Sequence, residues 1–115
     1  MLITDFTHFS TAAKKLGEKF GVNMSNGSVT DPQNCEGKRS SHLVFSLDNG
    51  LLNSSHSIVM GRNESERVQK VVTYAGQSIK GPPEAISFLS LSPTATDRLI
   101  GSARGRSQGI AFQCG

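Results

Sequence analysis

Hydrophobic residues recur in short blocks along the chain, and the first long block predicts a helix over residues 10–20. Side chains three or four positions apart share one face of a helix, and this spacing is met by Ala12, Ala13, Leu16 and Phe20. Ser10 or Thr11 supplies an N-cap hydroxyl. Gly21 is placed to end the helix in the left-handed conformation.

Shorter apolar or alternating segments predict β-strands. They lie at residues 2–4, 22–24, 42–47, 68–75, 85–91 and 109–114. In the third segment, apolar and polar residues alternate, which puts Leu43, Phe45 and Leu47 on the same face of the predicted strand. The turn residues 48–50 predict a hairpin-like feature, whereas the polar residues 28–41 and the glycine-rich, basic residues 101–109 predict loops.

The order of these elements predicts an α/β fold. A strand, the helix and a second strand at residues 22–24 form a β-α-β start, and such a unit normally makes a parallel pair with a right-handed crossover. The chain has 115 residues, the length of one domain of ~100–200 residues. We therefore expect a single domain over residues 1–115 with a small, open, mostly parallel or mixed sheet and few helices.

Two stretches of the second half carry a family resemblance, namely GRNESERV at residues 61–68 and VVTYAGQS at residues 71–78. With the early β-α-β segments and the strand at residues 109–112, they resemble bacterial proteins of unknown function in the class I glutamine amidotransferase-like group. The resemblance implies a flavodoxin-like three-layer architecture. It also implies a chain truncated at both ends, with more strand before Leu2 and a strand and helix after Gly115.

The catalytic residues of that group do not carry over. Its amidotransferases use a cysteine on a strand-to-helix elbow and a His-x-Glu pair. Neither Cys35 nor Cys114 lies in a G-x-C-x-G elbow, and no histidine has Glu two positions later. We therefore expect no glutaminase activity. Because no C-x-x-C pair is present, a zinc finger is not expected either; the cysteines are most simply two free thiols, with one disulfide as the alternative.

The net charge of +3 arises in the second half of the chain, because residues 58–115 hold seven basic and four acidic residues and residues 1–57 hold five of each. The densest part, and the candidate nucleic-acid site, is Arg98, Arg104 and Arg106. No aromatic residue is interleaved with these arginines, so no base-stacking platform is predicted. A solvated basic surface is the simpler interpretation, and we expect any nucleic-acid binding to be weak, non-specific and sensitive to salt.

A second candidate site would bind a small anionic ligand through Asp5, His8, Arg62, Asn63 and Arg67. Asp5 and His8 flank the turn after the first predicted strand, where they could hold a metal, relay a proton or simply form a polar turn. Arg62 and Arg67 could bind an anion bidentately. The alternative is that both arginines pair with neighbouring carboxylates and fix a loop.

Composition predicts a thin core and therefore self-association. Hydrophobic residues make up 36% of the chain and Trp is absent. A small domain with so little apolar surface is expected to form a homo-oligomer, most simply a twofold dimer. The candidate edge strands for that contact are residues 22–24 and 109–114, since an exposed strand edge recruits another strand.

The predicted function is a non-enzymatic binding or interaction domain, degenerate from an amidotransferase-like fold. The alternatives are a small anionic-ligand-binding protein or small enzyme that uses the Asp5, His8 and Arg62–Arg67 region, and a weak nucleic-acid-associated protein. We predict no catalytic residue, metal or cofactor. No apolar run approaches the ~20 residues of a membrane span, so we expect a cytoplasmic protein without membrane contact.

Overall fold

Short antiparallel strands are the main regular structure of the described residues. The computed structural model describes residues 11–113, and within them lie two α-helices, one 3₁₀ turn and ten strands. The helices are α1 (Thr11–Lys19) and α2 (Ser57–Met60), and the 3₁₀ turn is Glu64–Glu66. The strands are β1 (Asn23–Met24), β2 (Val29–Thr30), β3 (Cys35–Glu36), β4 (Arg39–Ser46), β5 (Lys70–Tyr74), β6 (Ile79–Lys80), β7 (Ile86–Ser90), β8 (Thr96–Asp97), β9 (Gly101–Ser102) and β10 (Ser107–Ala111).

These strands form three small sheets in which every described pairing is antiparallel. The first sheet has the strand order β1-β6-β10-β7, the second β2-β8-β9 and the third β3-β4-β5. The longest ladder joins β4 to β5, from His42 opposite Tyr74 to Ser46 opposite Lys70.

The expected α/β fold with a mostly parallel sheet is therefore wrong, and the flavodoxin-like architecture implied by the family resemblance is wrong with it. A parallel pair needs a crossover of about a dozen residues or more, usually a helix. In the described stretch from β1 to β10 the only α-helix is the four-residue α2, and β1 pairs antiparallel with β6. The strand expected at residues 2–4 lies outside the described residues.

The predicted amphipathic helix is confirmed as α1. Gly21 follows it with a φ of +79°, a conformation that favours glycine at the end of a helix. α1 packs on β1, where a Cβ added to Gly17 would lie 2.8 Å from Cε of Met24. Leu16 and Phe20 each keep 45% of their surface exposed, so the predicted apolar stripe is only partly covered.

Five predicted strands coincide with observed ones, because β1, β4, β5, β7 and β10 fall largely within the segments predicted for them. The loops predicted at residues 28–41 and 101–109 are wrong. The first contains β2, β3 and the start of β4, and the second contains β9 and the start of β10. Strands of two residues are too short to show a periodic pattern, which is why the sequence did not reveal them.

The chain after β4 runs to a different sheet. Residues 48–50 form the expected turn, but the segment that follows lies along the outer side of β7. Leu52 forms a bridge with Leu89, and the Asn53 N–H donates to the Phe88 carbonyl at 3.1 Å. This segment therefore covers the edge of β7 and connects two sheets.

In the segment expected as an edge, residues 109–114, the described residues Gly109, Ile110 and Ala111 pair with β7 alone, and β6 pairs with Ser107 just before them. β10 lies in the interior of its sheet, between β6 and β7, whereas β1 lies at an edge. The closing strand of the described chain is thus paired on both sides along part of its length.

The hydrophobic core lies between the sheets and is built from medium-sized and small side chains. Leu43 and Phe45 face inward from β4, as predicted, and Phe45 is 1% exposed. Leu47 follows the end of β4 and is 40% exposed. The remaining buried members of the cluster are Val29, Leu52, Val59, Leu89, Leu91, Ala95 and Ala103.

Candidate functional site

Two of the residues predicted to bind an anion, Arg62 and Asn63, are engaged within their own loop. Arg62 forms an ion pair with Glu66, with Nη2 and Oε1 2.6 Å apart, and the Glu66 carboxylate also accepts the Arg62 N–H at 2.8 Å. The hydrogen bond between them raises the pKa of Arg62 and lowers the pKa of Glu66. Asn63 Oδ1 accepts the Ser65 N–H at 3.0 Å and caps the 3₁₀ turn.

Arg67, the residue after Glu66, takes no part in that ion pair and lines an open groove of about 530 Å³. The other wall residues that matter for its chemistry are Leu47, Leu51, Asn53, Ser54, Ser87 and Ser90. Of the described residues in this lining, Arg67 is the one that carries a charge. Within residues 11–113, no ion pair or side-chain hydrogen bond holds its guanidinium.

Serine hydroxyls form a connected chain beside the groove. Ser87 Oγ lies 2.7 Å from Ser90 Oγ and 2.6 Å from Ser107 Oγ, both hydrogen-bond distances. Asn53 is fixed next to them, because its Oδ1 accepts the Ser55 N–H at 3.1 Å and its Nδ2 donates to the Ser87 carbonyl at 3.5 Å. The groove therefore combines one cation with hydroxyl groups held in place by their neighbours.

Arg106, one of the residues predicted to contact nucleic acid, is half-buried and hydrogen-bonded within the fold. Its Nε donates to Ser78 Oγ at 2.8 Å. Its Nη2 donates to Asn23 Oδ1 at 2.9 Å and, at 3.1 Å, to the carbonyl oxygens of Asn23 and Ser78. Ser78 Oγ donates in turn to Asp97 Oδ2 at 2.7 Å. Burial lowers the pKa of Arg106, and the charge of Asp97 opposes that shift.

The other two arginines of that predicted site are exposed. Arg98 lies just after β8, and Arg104 just after β9. The large exposed side chains between them are the aliphatic Leu99 and Ile100, so this hairpin offers no aromatic ring for base stacking. Nucleic-acid binding, expected to be weak, stays a prediction that now involves two exposed arginines.

Two buried aspartates were not singled out from the sequence. Asp31 and Asp97 are each 1% exposed. Asp31 accepts hydrogen bonds from Ser92 Oγ at 2.6 Å, Thr94 Oγ1 at 2.6 Å, Asn34 Nδ2 at 3.1 Å and the Gln33 N–H at 3.0 Å. Burial alone would raise the pKa of Asp31, but these hydrogen bonds outweigh it, and the pKa lies below the ordinary value of 3.8.

Asp97 has a similar environment between β1, β6 and the β8–β9 turn. Besides Ser78 Oγ, it accepts the Leu99 N–H at 2.9 Å. Burial again acts to raise the pKa of Asp97, and hydrogen bonds from Ser25, Ser78 and the turn backbone bring it below 3.8. Both carboxylates therefore have structural roles, because their oxygens are occupied by donors within the fold.

The remaining predicted chemistry falls partly outside the described residues, since Asp5, His8 and Cys114 lie there. In residues 11–113, no cluster of three or more His, Cys, Asp or Glu side chains is arranged to hold a metal ion. Cys35 is a half-buried free thiol. Neither α1 nor α2, the helices of the described stretch, is long and apolar enough to cross a membrane. The cytoplasmic location stays a prediction.

No protein-family model matches this chain, and neither a curated protein nor a solved structure is similar enough to count as a match. The predicted relation to the amidotransferase-like group is thus opposed by the antiparallel fold and has no support from similarity.

The groove residues beyond Arg67 were missed because they come from separate segments. Asn53 and Ser54 follow β4 by several residues, whereas Ser87 and Ser90 belong to β7. The one available signal was the pair of serines inside an otherwise apolar predicted strand, which marks a polar spot on the sheet.

Proposed function

We propose that this chain is a non-enzymatic binding domain that takes a small anion in the groove lined by Arg67. The observation that carries this proposal is Arg67 itself, an arginine without an ion pair among the described residues, at a groove of about 530 Å³. A guanidinium presents several N–H donors in a planar fork that suits a carboxylate or phosphate group. The volume falls within the ~300–1,000 Å³ usual for ligand sites.

The rest of the lining favours an anion that also carries hydroxyl groups. Ser54, Ser87 and Ser90 bring hydroxyls to the groove, and each can both donate and accept a hydrogen bond. Leu47 and Leu51 add a smaller apolar surface. A sugar phosphate has this combination of groups, because its phosphate would bind the arginine and its ring hydroxyls would bind the serines.

The same residues favour binding over catalysis. General acid–base chemistry needs a group whose pKa lies near the working pH. Among the lining residues that the structure describes, Arg67 is the only ionisable side chain, and arginine stays protonated in proteins. The hydrogen-bond partners of the Ser87 hydroxyl are the hydroxyls of Ser90 and Ser107, neither of which would activate it as a nucleophile.

The test is a titration of ¹⁵N-labelled protein followed by NMR, with glucose 6-phosphate, inorganic phosphate and glucose as separate probes. We expect glucose 6-phosphate to shift the amide signals of Asn53, Ser54, Arg67, Ser87 and Ser90. Inorganic phosphate should shift mainly the Arg67 region and bind more weakly. Glucose, without the anion, should produce the smallest changes.

Arg67→Gln removes the cation and should weaken glucose 6-phosphate binding at least tenfold, because a charge-assisted hydrogen bond contributes about 1.5–3 kcal/mol. Arg62→Gln is the matched control, since Arg62 is an exposed arginine of the same loop that is paired with Glu66. Equal weakening in both variants, or shifts that avoid the groove, would contradict the proposal.

A further inference from the structure

Among residues 11–113, strand β5 pairs with a neighbouring strand on one side only. The Ala75 N–H donates to the Ser41 carbonyl at 2.9 Å, which continues the β4–β5 register. In an antiparallel ladder, hydrogen-bonded and non-hydrogen-bonded residue pairs alternate. The backbone groups of the odd-numbered residues of β5 therefore point to β4, and the outward groups belong to Lys70, Val72 and Tyr74.

No hydrogen bond within the described part of the chain reaches those outward backbone groups. The other sheet edges differ, because β1, β2, β3 and β9 are two residues long and the outer side of β7 is covered by residues 51–53. β5 is thus the longest uncovered edge among the described strands. Such an edge is a template for pairing with another strand.

We propose that β5 pairs antiparallel with β5 of a second copy of this chain, around a twofold axis at Val72. In this register Val72 faces the partner's Val72, and Lys70 faces the partner's Tyr74. The three outward N–H groups and three outward C=O groups of each copy then satisfy one another. An antiparallel alignment is required, because only in an antiparallel ladder do outward-facing residues of one strand lie directly opposite outward-facing residues of the other.

The side chains along this edge suit a second copy. Val72 is half-buried and β-branched, and β-branched residues pair well across strands. Lys70 Nζ lies 3.6 Å from Glu36 Oε1, so its charge is balanced within its own sheet. Tyr74 is 64% exposed and meets His42 edge-on, with ring centroids 4.5 Å apart. The partner's Lys70 would cover part of that exposed ring.

This surface is distinct from the two segments expected from the sequence, residues 22–24 and 109–114, and from the groove lined by Arg67. The paired strands have five residues each, so the contact is smaller than the ~1,200 Å² of a stable interface. We therefore expect a weak association that reverses on dilution.

The test is sedimentation equilibrium between about 10 µM and 1 mM. The wild-type mass should rise from 12.3 kDa toward twice that value. Val72→Lys and Val72→Glu each place like charges on the twofold axis and should stay monomeric. Mixing the two variants should restore the larger mass, because the facing charges are then opposite, and this recovery would also show that both variants fold.

Val44→Lys is the matched control, since Val44 lies opposite Val72 on the same face of the sheet but one strand further from the edge. Its copies would be about 14 Å apart, three strand spacings, beyond the ~8 Å screening length in physiological salt. It should therefore keep the larger mass.

Hydrogen exchange of the wild type gives a readout that needs no variant. The amides of Val72 and Tyr74 should exchange more slowly at 1 mM than at 10 µM. A wild-type mass fixed at 12.3 kDa up to 1 mM would overturn the proposal. It would equally be overturned by a larger mass that Val72→Lys leaves intact, or by exchange at these amides that does not depend on concentration.

Discussion

Gln108 contains an unusual polar atom, a buried side-chain nitrogen, Nε2, without a hydrogen-bond partner among the described residues. Its Oε1 accepts a hydrogen bond from Thr73 Oγ1 and so connects β10 to β5. A buried donor that is left unpaired costs about 1–3 kcal/mol relative to a paired one. The Thr73–Gln108 contact therefore stabilises the fold by less than its hydrogen bond alone would.

Replacing both partners should remove that cost. We expect the double variant Thr73→Val, Gln108→Met to be at least as stable as the wild type, because two apolar side chains of similar shape leave no unpaired polar atom. Thr73→Val alone should be less stable by about 1 kcal/mol, since it leaves the Gln108 oxygen unpaired as well. Urea denaturation of both single variants and the double variant gives the comparison. A double variant less stable than the wild type would contradict this account.

Individual residues differ in how much of their role could be predicted. Arg67 was a ligand candidate from its charge alone, and it does line the groove. Asp31 and Asp97 were not candidates for burial, because aspartate is rarely buried unless it is paired. Their donors come from distant segments, such as Ser92 for Asp31 and Ser78 for Asp97. No local pattern links residues 61 positions apart, as Asp31 and Ser92 are.

Polar side chains also hold strands of different sheets together. Arg106 connects the start of β10 to β1 through Asn23 and to the residue before β6 through Ser78. The Ser78 hydroxyl in turn donates a hydrogen bond to Asp97 in β8. The two-residue strands β1, β6 and β8 have few ladder hydrogen bonds of their own, so this network supplies much of what fixes them.

Arg106→Met should therefore destabilise the fold by about 2–3 kcal/mol, because it removes charge-assisted hydrogen bonds and leaves Asp97 buried without its cation. It should also speed hydrogen exchange at Met24 in β1. Arg104→Met is the matched control, since Arg104 is exposed, and it should change stability by no more than about 0.5 kcal/mol. Thermal unfolding of the two variants checks this, and equal effects would show that Arg106 is only a surface residue.

Elements were predictable from the sequence in proportion to their length. α1 and the strands of five or more residues lie in segments whose apolar spacing fits a helix or a strand. Apart from β1, which lies in the predicted segment 22–24, the two-residue strands and α2 do not, and three of those strands, β2, β3 and β9, fall where loops were expected. The error in fold class follows from this. One helix followed by a short strand was interpreted as part of a parallel β-α-β unit, whereas the described strands pair antiparallel.

At the scale of the whole fold, two ionised carboxylates connect the small sheets to one another. Asp31 joins the turn between β2 and β3 to Ser92 and Thr94 after β7, and Asp97 joins the second sheet to the first through Ser78. Among the described residues, Phe45 is the one aromatic side chain of the core that is less than 2% exposed. With little apolar surface in reserve, the stability of the fold should depend strongly on both aspartates.

The direction of that dependence on pH follows from the two pKa values. Both aspartates have a folded-state pKa below the ordinary 3.8, so their ionised forms favour the folded state. The stabilisation is fully present above about pH 5 and is lost as pH falls through 3.8 toward the folded-state values. We expect the free energy of unfolding to fall steeply below about pH 4.

Asp31→Asn should separate this contribution from the rest. An amide can accept fewer of the four hydrogen bonds, so the variant should be about 2–3 kcal/mol less stable than the wild type at pH 7. The difference should shrink as pH falls from 5 toward 2, because the wild type then protonates Asp31 while the variant has nothing to titrate there.

Asp48→Asn is the matched control, since Asp48 is exposed, and its stability curve should stay close to that of the wild type. Urea denaturation at intervals across this range measures all three curves. A difference between wild type and Asp31→Asn that stays constant from pH 7 to pH 2 would mean that folding does not lower the pKa of Asp31, and a difference that grows as pH falls would mean that Asp31 is neutral in the folded protein.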